Sequence, residues 1–178
     1  KDVAVRITGE AVRSFTLMFL QMWNTEERGL EDFTGYLGAS GPADAPGWIL
    51  PYGDSPFNGE NIGEMVYMDI LNRARKYVHI MTPYLIIDNE MITALTFAAK
   101  RGVDVKIITP GRPDKKTVFA VTRSYYRELI AGGVQIYEYS PGFVHAKTFV
   151  SDGDTAVTGS INLDYRSLYL HFECAALM

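Results

Sequence analysis

One cysteine and three histidines are all that 178 residues offer as soft ligands. Cys174 has no partner for an internal disulfide, which suits a cytosolic setting best. The scattered histidines show no metal-ligand spacing, so neither a metal nor another cofactor is expected. A formal net charge of only −4 excludes a global attraction for nucleic acid or an anionic membrane. Any anion must be held by locally placed Lys and Arg. No apolar run reaches the roughly 18–20 residues that span a bilayer, no signal peptide opens the chain, and no short-period repeat is visible. What is present, 47% hydrophobic and 21% charged residues, reads as one globular domain large enough for a real core. The chain begins with Lys1-Asp2 rather than Met and stops in the apolar run Ala175–Met178. Both ends are expected to be cut from something longer.

Val3–Ile7 alternates as a short strand, and Gly9 opens a helix over Ala11–Trp23. The helical spacing of Phe15, Met18, Phe19, Met22 and Trp23 predicts that they face the core. Thr25–Gly47, rich in Gly, Pro and acids without periodicity, reads as a linker. Trp48–Tyr52 reads as a strand. Asn58 is the expected N-cap of a helix to about Lys76, with Ile62, Met65, Val66, Asp69 and Ile70 marking its inner side. Tyr77–Thr82 is a strand ended by Pro83, and His79 within it reads as a packed histidine. Asp88 caps the next helix and Gly102 ends it. Val103–Thr109 is nearly all apolar, as for a strand buried on both faces. A third helix, Asp114–Ala131, stops at Gly132-Gly133 before the strand Val134–Tyr139. Strand and helix alternate three times, which predicts an α/β fold whose sheet is mixed but largely parallel, with helices on both faces.

The chemistry concentrates in the last stretch, FVHAKTFVSDGDTAVTGSINLDYRSLYLHFECAALM, Phe143–Met178. His145 and Lys147 stand two apart in a strand-like run, so imidazole and ammonium share a face. Asp152-Gly153 signals a tight hairpin, and the returning strand Thr155–Thr158 brings Ser160 and Asn162 back toward His145. An imidazole beside a cation, a hydroxyl and an amide makes a phosphate pocket.

The order His145-x-Lys147, four residues, Asp152, six residues, Gly159-Ser160 and Asn162 resembles the HKD motif of the phospholipase D superfamily. Arg166-Ser167 and Glu173 fall where that pattern continues. Residues 48–174 are similar, more narrowly, to the second catalytic half of bacterial cardiolipin synthases. The match lies in Thr82-Pro83-Tyr84, AAKRGVDVKIITP (98–110), RSYYRELIAGGVQIYEY (123–139), FVHAK (143–147) and NLDYRSLYLHFE (162–173). Residues 1–24 resemble the segment that follows the first HKD motif in those enzymes. The chain departs from them with Leu85 where Phe is common and His171 where Asn is common.

The resemblance implies a phospholipase D-like half at 48–178, preceded at 1–47 by the exit of a first half and a linker. His145 would form a phosphohistidine or serve as general acid and base; since the first-half His is usually the nucleophile, the resemblance favours acid/base duty. Lys147 would clamp the phosphoryl oxygens. Asn162 and Ser160 would donate to the same oxygens, or merely cap the turn before Leu163. Glu173 would hold the imidazole by its second nitrogen, unless it is a strand-edge carboxylate. Asp152 is read as a structural turn residue, Gly159 and Ser167 as motif framework, and Arg166 as a brace through a hydrogen bond or ion pair. Tyr84 is a candidate for substrate binding, and Arg112, Lys115 and Lys116, which follow a strand end at the mouth, either meet lipid headgroups or form a merely solvated charge cluster.

The implied function is phosphatidyl transfer between two phosphatidylglycerol molecules at a bacterial cytoplasmic membrane, with this chain a soluble, inactive C-terminal fragment. Its partners would be phosphatidylglycerol, the first HKD half, the membrane surface and possible homodimer formation, not nucleic acid. Another phospholipase D-type phosphodiesterase (a phospholipase D, a phosphatidylserine synthase or a nuclease) and an inactive isolated module remain the alternatives.

Overall fold

The computed structural model describes residues 1–26, 32–38, 41, 46–57 and 59–178. A seven-stranded sheet organises it, in the order β1 (Leu50–Asp54), β9 (Glu173–Leu177), β7 (Thr155–Gly159), β6 (Thr148–Ser151), β2 (Tyr77–Met81), β4 (Asp104–Pro110), β5 (Gln135–Tyr139). A two-stranded parallel ribbon, β3 (Leu85–Ile86) with β8 (Leu163–Asp164), sits apart from it. The sheet is mixed and helix-flanked, as the sequence predicts, but its balance is reversed. Only β2–β4 and β4–β5 are parallel; the ladders β1–β9, β9–β7, β7–β6 and β6–β2 are antiparallel. The reason is topological: the closing hairpin and β9 insert themselves between β1 and β2.

Three crossovers carry α2 (Ile62–Arg73), α3 (Asn89–Lys100) and α4 (Lys116–Ala131) from β1 to β2, β2 to β4 and β4 to β5. All run in one direction across the sheet, so right-handed connections place the three helices on one face. The core lies beneath them, around Tyr67, Leu71, Ile80, Leu95, Ile107 and Phe149. Tyr67 and Phe149 stack with ring centroids 4.0 Å apart. The opposite face carries α1 (Ala11–Glu26) at its β1 end, where Met18 Sδ lies 3.0 Å from the Cβ position of Gly53.

Several local readings shift. Phe19, Met22 and Trp23 are exposed, and Leu20 is the buried residue of α1; the stripe meets only the sheet's edge. Residues 3–7 form no strand ladder. The first strand runs Leu50–Asp54 rather than 48–52. Asn58 lies outside the described residues. α2 starts after Asn61 and is capped from outside by Asp54, whose Oδ2 accepts Gly63 N–H at 2.7 Å. Its buried side is Gly63, Glu64, Tyr67, Ile70 and Leu71, leaving Met65 exposed. β4 alternates in burial rather than being covered on both faces. His79, on β2, is half-exposed and bonded to Asp104 at 3.0 Å, not packed in the core.

Candidate active site

The motif residues gather at the end of the sheet where β2 and β4 finish, the end at which open α/β sheets bind ligands. Met81 pairs with Thr148, so Lys147 stands beside the exit of β2 at Thr82. Thr158 pairs with Thr148, which returns Gly159 and Ser160 to the same rim. Buried Thr82 ties that rim together: its hydroxyl donates to Tyr84 O at 2.8 Å and accepts Leu163 N–H at 3.1 Å. From α2, the Tyr67 hydroxyl donates to Ile161 O at 2.8 Å and pins the Ser160–Asn162 turn.

His145 and Lys147 sit just before β6, beside buried Val144 and Ala146. The imidazole is about half-exposed, at 49%. Its Nδ1–H donates to Asp2 Oδ2 at 3.0 Å, and its backbone N–H donates to Lys1 O at 2.7 Å. A carboxylate accepting at Nδ1 fixes the tautomer and leaves Nε2 as the basic nitrogen. That bond is the main force holding the Asp2 carboxyl below its usual range, helped by the Val3 amide and the positive charge of Lys147. Lys147 is 7% exposed and its ammonium donates to the carbonyl of His145. Burial pulls the ammonium down from the ordinary lysine value, against the opposing charges of Asp2, Glu173 and Asp164. A desolvated cation held among carboxylates is a strong anchor for an incoming phosphoryl oxygen.

Asp2, the residue that holds His145, escaped the sequence reading, which put Glu173 there. Glu173 begins β9, opposite Asp54 across the ladder, and its Oε1 lies 3.4 Å from His171 Nδ1. Ser160 is occupied: its Oγ accepts Cys174 N–H at 3.0 Å and donates to Cys174 O at 3.3 Å, joining β7 to β9. Asn162 donates through Nδ2 to Ser167 Oγ at 2.8 Å, while its buried Oδ1 has no hydrogen-bond partner among the described residues. Asp164 caps the short α5 (Tyr165–Tyr169) by accepting Ser167 N–H at 2.8 Å.

The framework residues have clear jobs. A Cβ on Gly159 would lie 2.3 Å from Cys174 O, so β7 and β9 can approach only at a glycine. Asp152, at φ 54°, accepts the backbone N–H groups of Arg75, Lys76 and Tyr77 at 2.7, 2.9 and 2.9 Å. Those bonds outweigh its partial burial and hold its carboxyl low. Arg166 is not a brace: it is exposed on α5 and makes no side-chain hydrogen bond or ion pair among the described residues. Tyr84 bonds Asp114 at 2.7 Å, and Arg112, Lys115 and Lys116 are exposed at the same end.

Glu64 on α2 is a second group that periodicity missed. It is 7% exposed, with Oε1 3.0 Å from the Tyr169 hydroxyl, which also bonds Asp88 at the start of α3. Burial first, then the neighbouring Asp88 carboxylate, pushes Glu64 up to about 7. Asp88 is held low by Tyr169 and the Met91 amide against its own burial. One proton on Glu64 then completes a chain from Glu64 through Tyr169 to Asp88, tying α5 to α2 and α3.

Comparison with known proteins bears on the family and the fold. An uncharacterized protein of Streptococcus mutans is 60% identical over the whole chain, which covers 39% of that protein. Cardiolipin synthase of Geobacillus kaustophilus is 39% identical and cardiolipin synthase 2 of Bacillus cereus 40%, again over the whole chain and 36% and 35% of theirs. The chain thus spans little more than a third of the length of these relatives. In fold it resembles the phospholipase D family member Nuc from Salmonella typhimurium, with TM-score 0.56 and 22% identity, covering 72% of this chain and 82% of that one. It also resembles phosphatidylserine synthase from Haemophilus influenzae, with TM-score 0.55 and 17% identity, covering 72% of this chain and 34% of that one. Residues 67–178 match the family described as cardiolipin synthase, PLD-like domain, and the chain belongs to that family.

Proposed function

We propose that this chain is the C-terminal catalytic half of a cardiolipin synthase, which moves a phosphatidyl group from one phosphatidylglycerol to the hydroxyl of another and releases glycerol. The observation that carries the reading is the Asp2–His145 pair beside buried Lys147, in a chain similar along its whole length to proteins named cardiolipin synthase. On this reading residues 1–47 lead out of the first half and 48–178 form the second.

The imidazole of the first half attacks phosphorus and holds the phosphatidyl group as a phosphohistidine. His145 Nε2 gives a proton to the departing glycerol oxygen, then takes one from the acceptor hydroxyl. Asp2 stabilises the imidazolium that forms between these steps. Lys147 balances the charge that builds on the non-bridging oxygens. One imidazole cannot both hold the phosphoryl group and protonate the leaving alkoxide, so the isolated chain is nearly inert. It finds a substitute partner by forming a homodimer at high concentration, with the two His145 rings approaching each other across a twofold contact.

The test compares phosphatidylglycerol turnover by the full-length protein and by this chain alone, with sedimentation alongside. Cardiolipin and glycerol should come from the full-length protein, and almost none from the monomeric chain. Turnover by a strict monomer near the full-length rate overturns the half-site reading. DNA cleavage without phosphatidylglycerol turnover overturns the substrate.

A further inference from the structure

The rim that carries the motif residues also carries an exposed apolar strip. Phe57, in the loop after β1, is 82% exposed, and its ring meets that of Phe172 edge-on with centroids 5.7 Å apart. Leu170 is 64% exposed, and Phe172 and Tyr165 are exposed with it. Single exposed hydrophobics are ordinary, whereas a contiguous group of large ones marks a surface that something covers. Backbone geometry ties the strip to the catalytic groups. Phe172 stands two residues before Cys174, whose carbonyl accepts Ser160 N–H at 2.9 Å, and Gly159 N–H donates to Lys147 O at 3.4 Å. His171, between Leu170 and Phe172, lines one cavity with Tyr165, Arg166, Asn162 and Lys115.

The charges beside the strip have one prevailing sign. Lys115 and Arg166 are exposed and have no ion pair among the described residues, and Arg112 and Lys116 are exposed next to Lys115 along the chain. The acids here are mostly committed. Asp114 bonds Tyr84 at 2.7 Å, Asp164 is buried as the cap of α5, and Glu173 faces His171 at 3.4 Å. Glu60 is the exposed acid of the Phe57 loop. In a chain of net charge −4 this excess of cations is local. Apolar tips projecting beside basic side chains fit an anionic bilayer, where the tips enter the acyl boundary and the cations stay with the phosphates. A protein partner fits less well, because the cores of protein interfaces are depleted of lysine.

We propose that this end of the molecule docks on an anionic bilayer, with Phe57, Leu170 and Phe172 entering the interface and Lys115 and Arg166 against lipid phosphates. The proposal rests on the phosphatidyl-transfer reading above and adds the way the substrate is reached. The catalytic rim faces the headgroup plane, so a phosphodiester comes to Lys147 and His145 while its acyl chains stay in the bilayer.

Vesicle flotation of this chain, at concentrations where it is monomeric, tests docking without any turnover. The wild type should bind mixed phosphatidylglycerol–phosphatidylcholine vesicles and leave pure phosphatidylcholine vesicles largely alone. F57S and L170S, on different segments, should each weaken binding about tenfold, as for partial burial of a large apolar side chain. F57W should restore it. K115Q and R166Q should each weaken it about fivefold, and added salt should weaken the wild type in the same way. A second arm uses the full-length protein in mixed micelles. There F57S/L170S should raise the surface concentration of phosphatidylglycerol needed for half-maximal turnover about tenfold, with kcat unchanged. Wild-type vesicle binding by both F57S and L170S overturns docking. So does an unchanged surface-concentration dependence in the full-length double variant, which would mean that another part of the protein covers the strip. Vesicle binding as predicted with no cardiolipin made overturns the transfer reading and leaves docking standing.

Discussion

Asp2 accepts a hydrogen bond from the Nδ1 of His145 at 3.0 Å, joining residues 143 positions apart. The contact fixes the tautomer of a half-exposed histidine and leaves Nε2 as its basic nitrogen. Asp2→Asn in the full-length protein should therefore lower kcat by about 10²–10⁴-fold, because an amide can donate to Nδ1 and favour the wrong tautomer. The midpoint of thermal unfolding should barely move, since the pair is exposed. Steady-state kinetics on the variant checks this; an unchanged kcat refutes the pairing.

His145→Ala should cost about 10²–10⁴-fold through lost proton transfer, and Lys147→Ala should do comparable damage by leaving phosphoryl charge unmatched. Asp152→Asn should act on stability instead. Asn tolerates the positive φ but weakens three bonds to backbone amides, a loss of about 2 kcal/mol. Denaturant unfolding beside kinetics separates the two effects. A D152N variant that melts like wild type but turns over like H145A contradicts the structural role.

The HKD spacing and the strand–helix alternation are local, so the sequence displays them; what it hides is long-range. Nothing near Asp2 marks it as the partner of an imidazole in the last quarter of the chain. The phase of α2 is hidden because Ile62, Met65 and Val66 make as good a stripe as the true one, on which Tyr67 stacks against Phe149 from the far end of the chain. Glu64 was lost with that phase. Likewise, β9 inserts between β1 and β7 through pairings with no local signal, and that insertion turned a parallel expectation into a mostly antiparallel sheet.

Glu64 makes the fold's stability depend on pH near neutrality. Its folded value, about 7, lies above its ordinary 4.5. The folded chain therefore binds the proton more tightly, and this contribution is fully present below pH 4.5 and lost as pH rises through 7. Glu64→Gln keeps a donor toward Tyr169 without the titration. The wild type should lose about 2–4 °C in Tm between pH 5.5 and 8, and E64Q should lose less. Parallel Tm–pH curves for the two proteins contradict the assignment.

Gly159→Ala forces a methyl to within 2.3 Å of Cys174 O in the β7–β9 ladder. Overpacking at a strand contact costs about 1–3 kcal/mol, and Ser160 next to it would shift with the backbone. Urea unfolding should show the loss, with turnover falling in step. Wild-type stability would mean that the two strands can part there without cost.

The most direct measurement follows labelled phosphatidylglycerol through the full-length protein and its H145A variant. The account predicts cardiolipin and glycerol in equal amounts from the wild type, and a rate at least about 100-fold lower from H145A. Wild-type turnover by H145A, or a wild type that never forms cardiolipin, would contradict it.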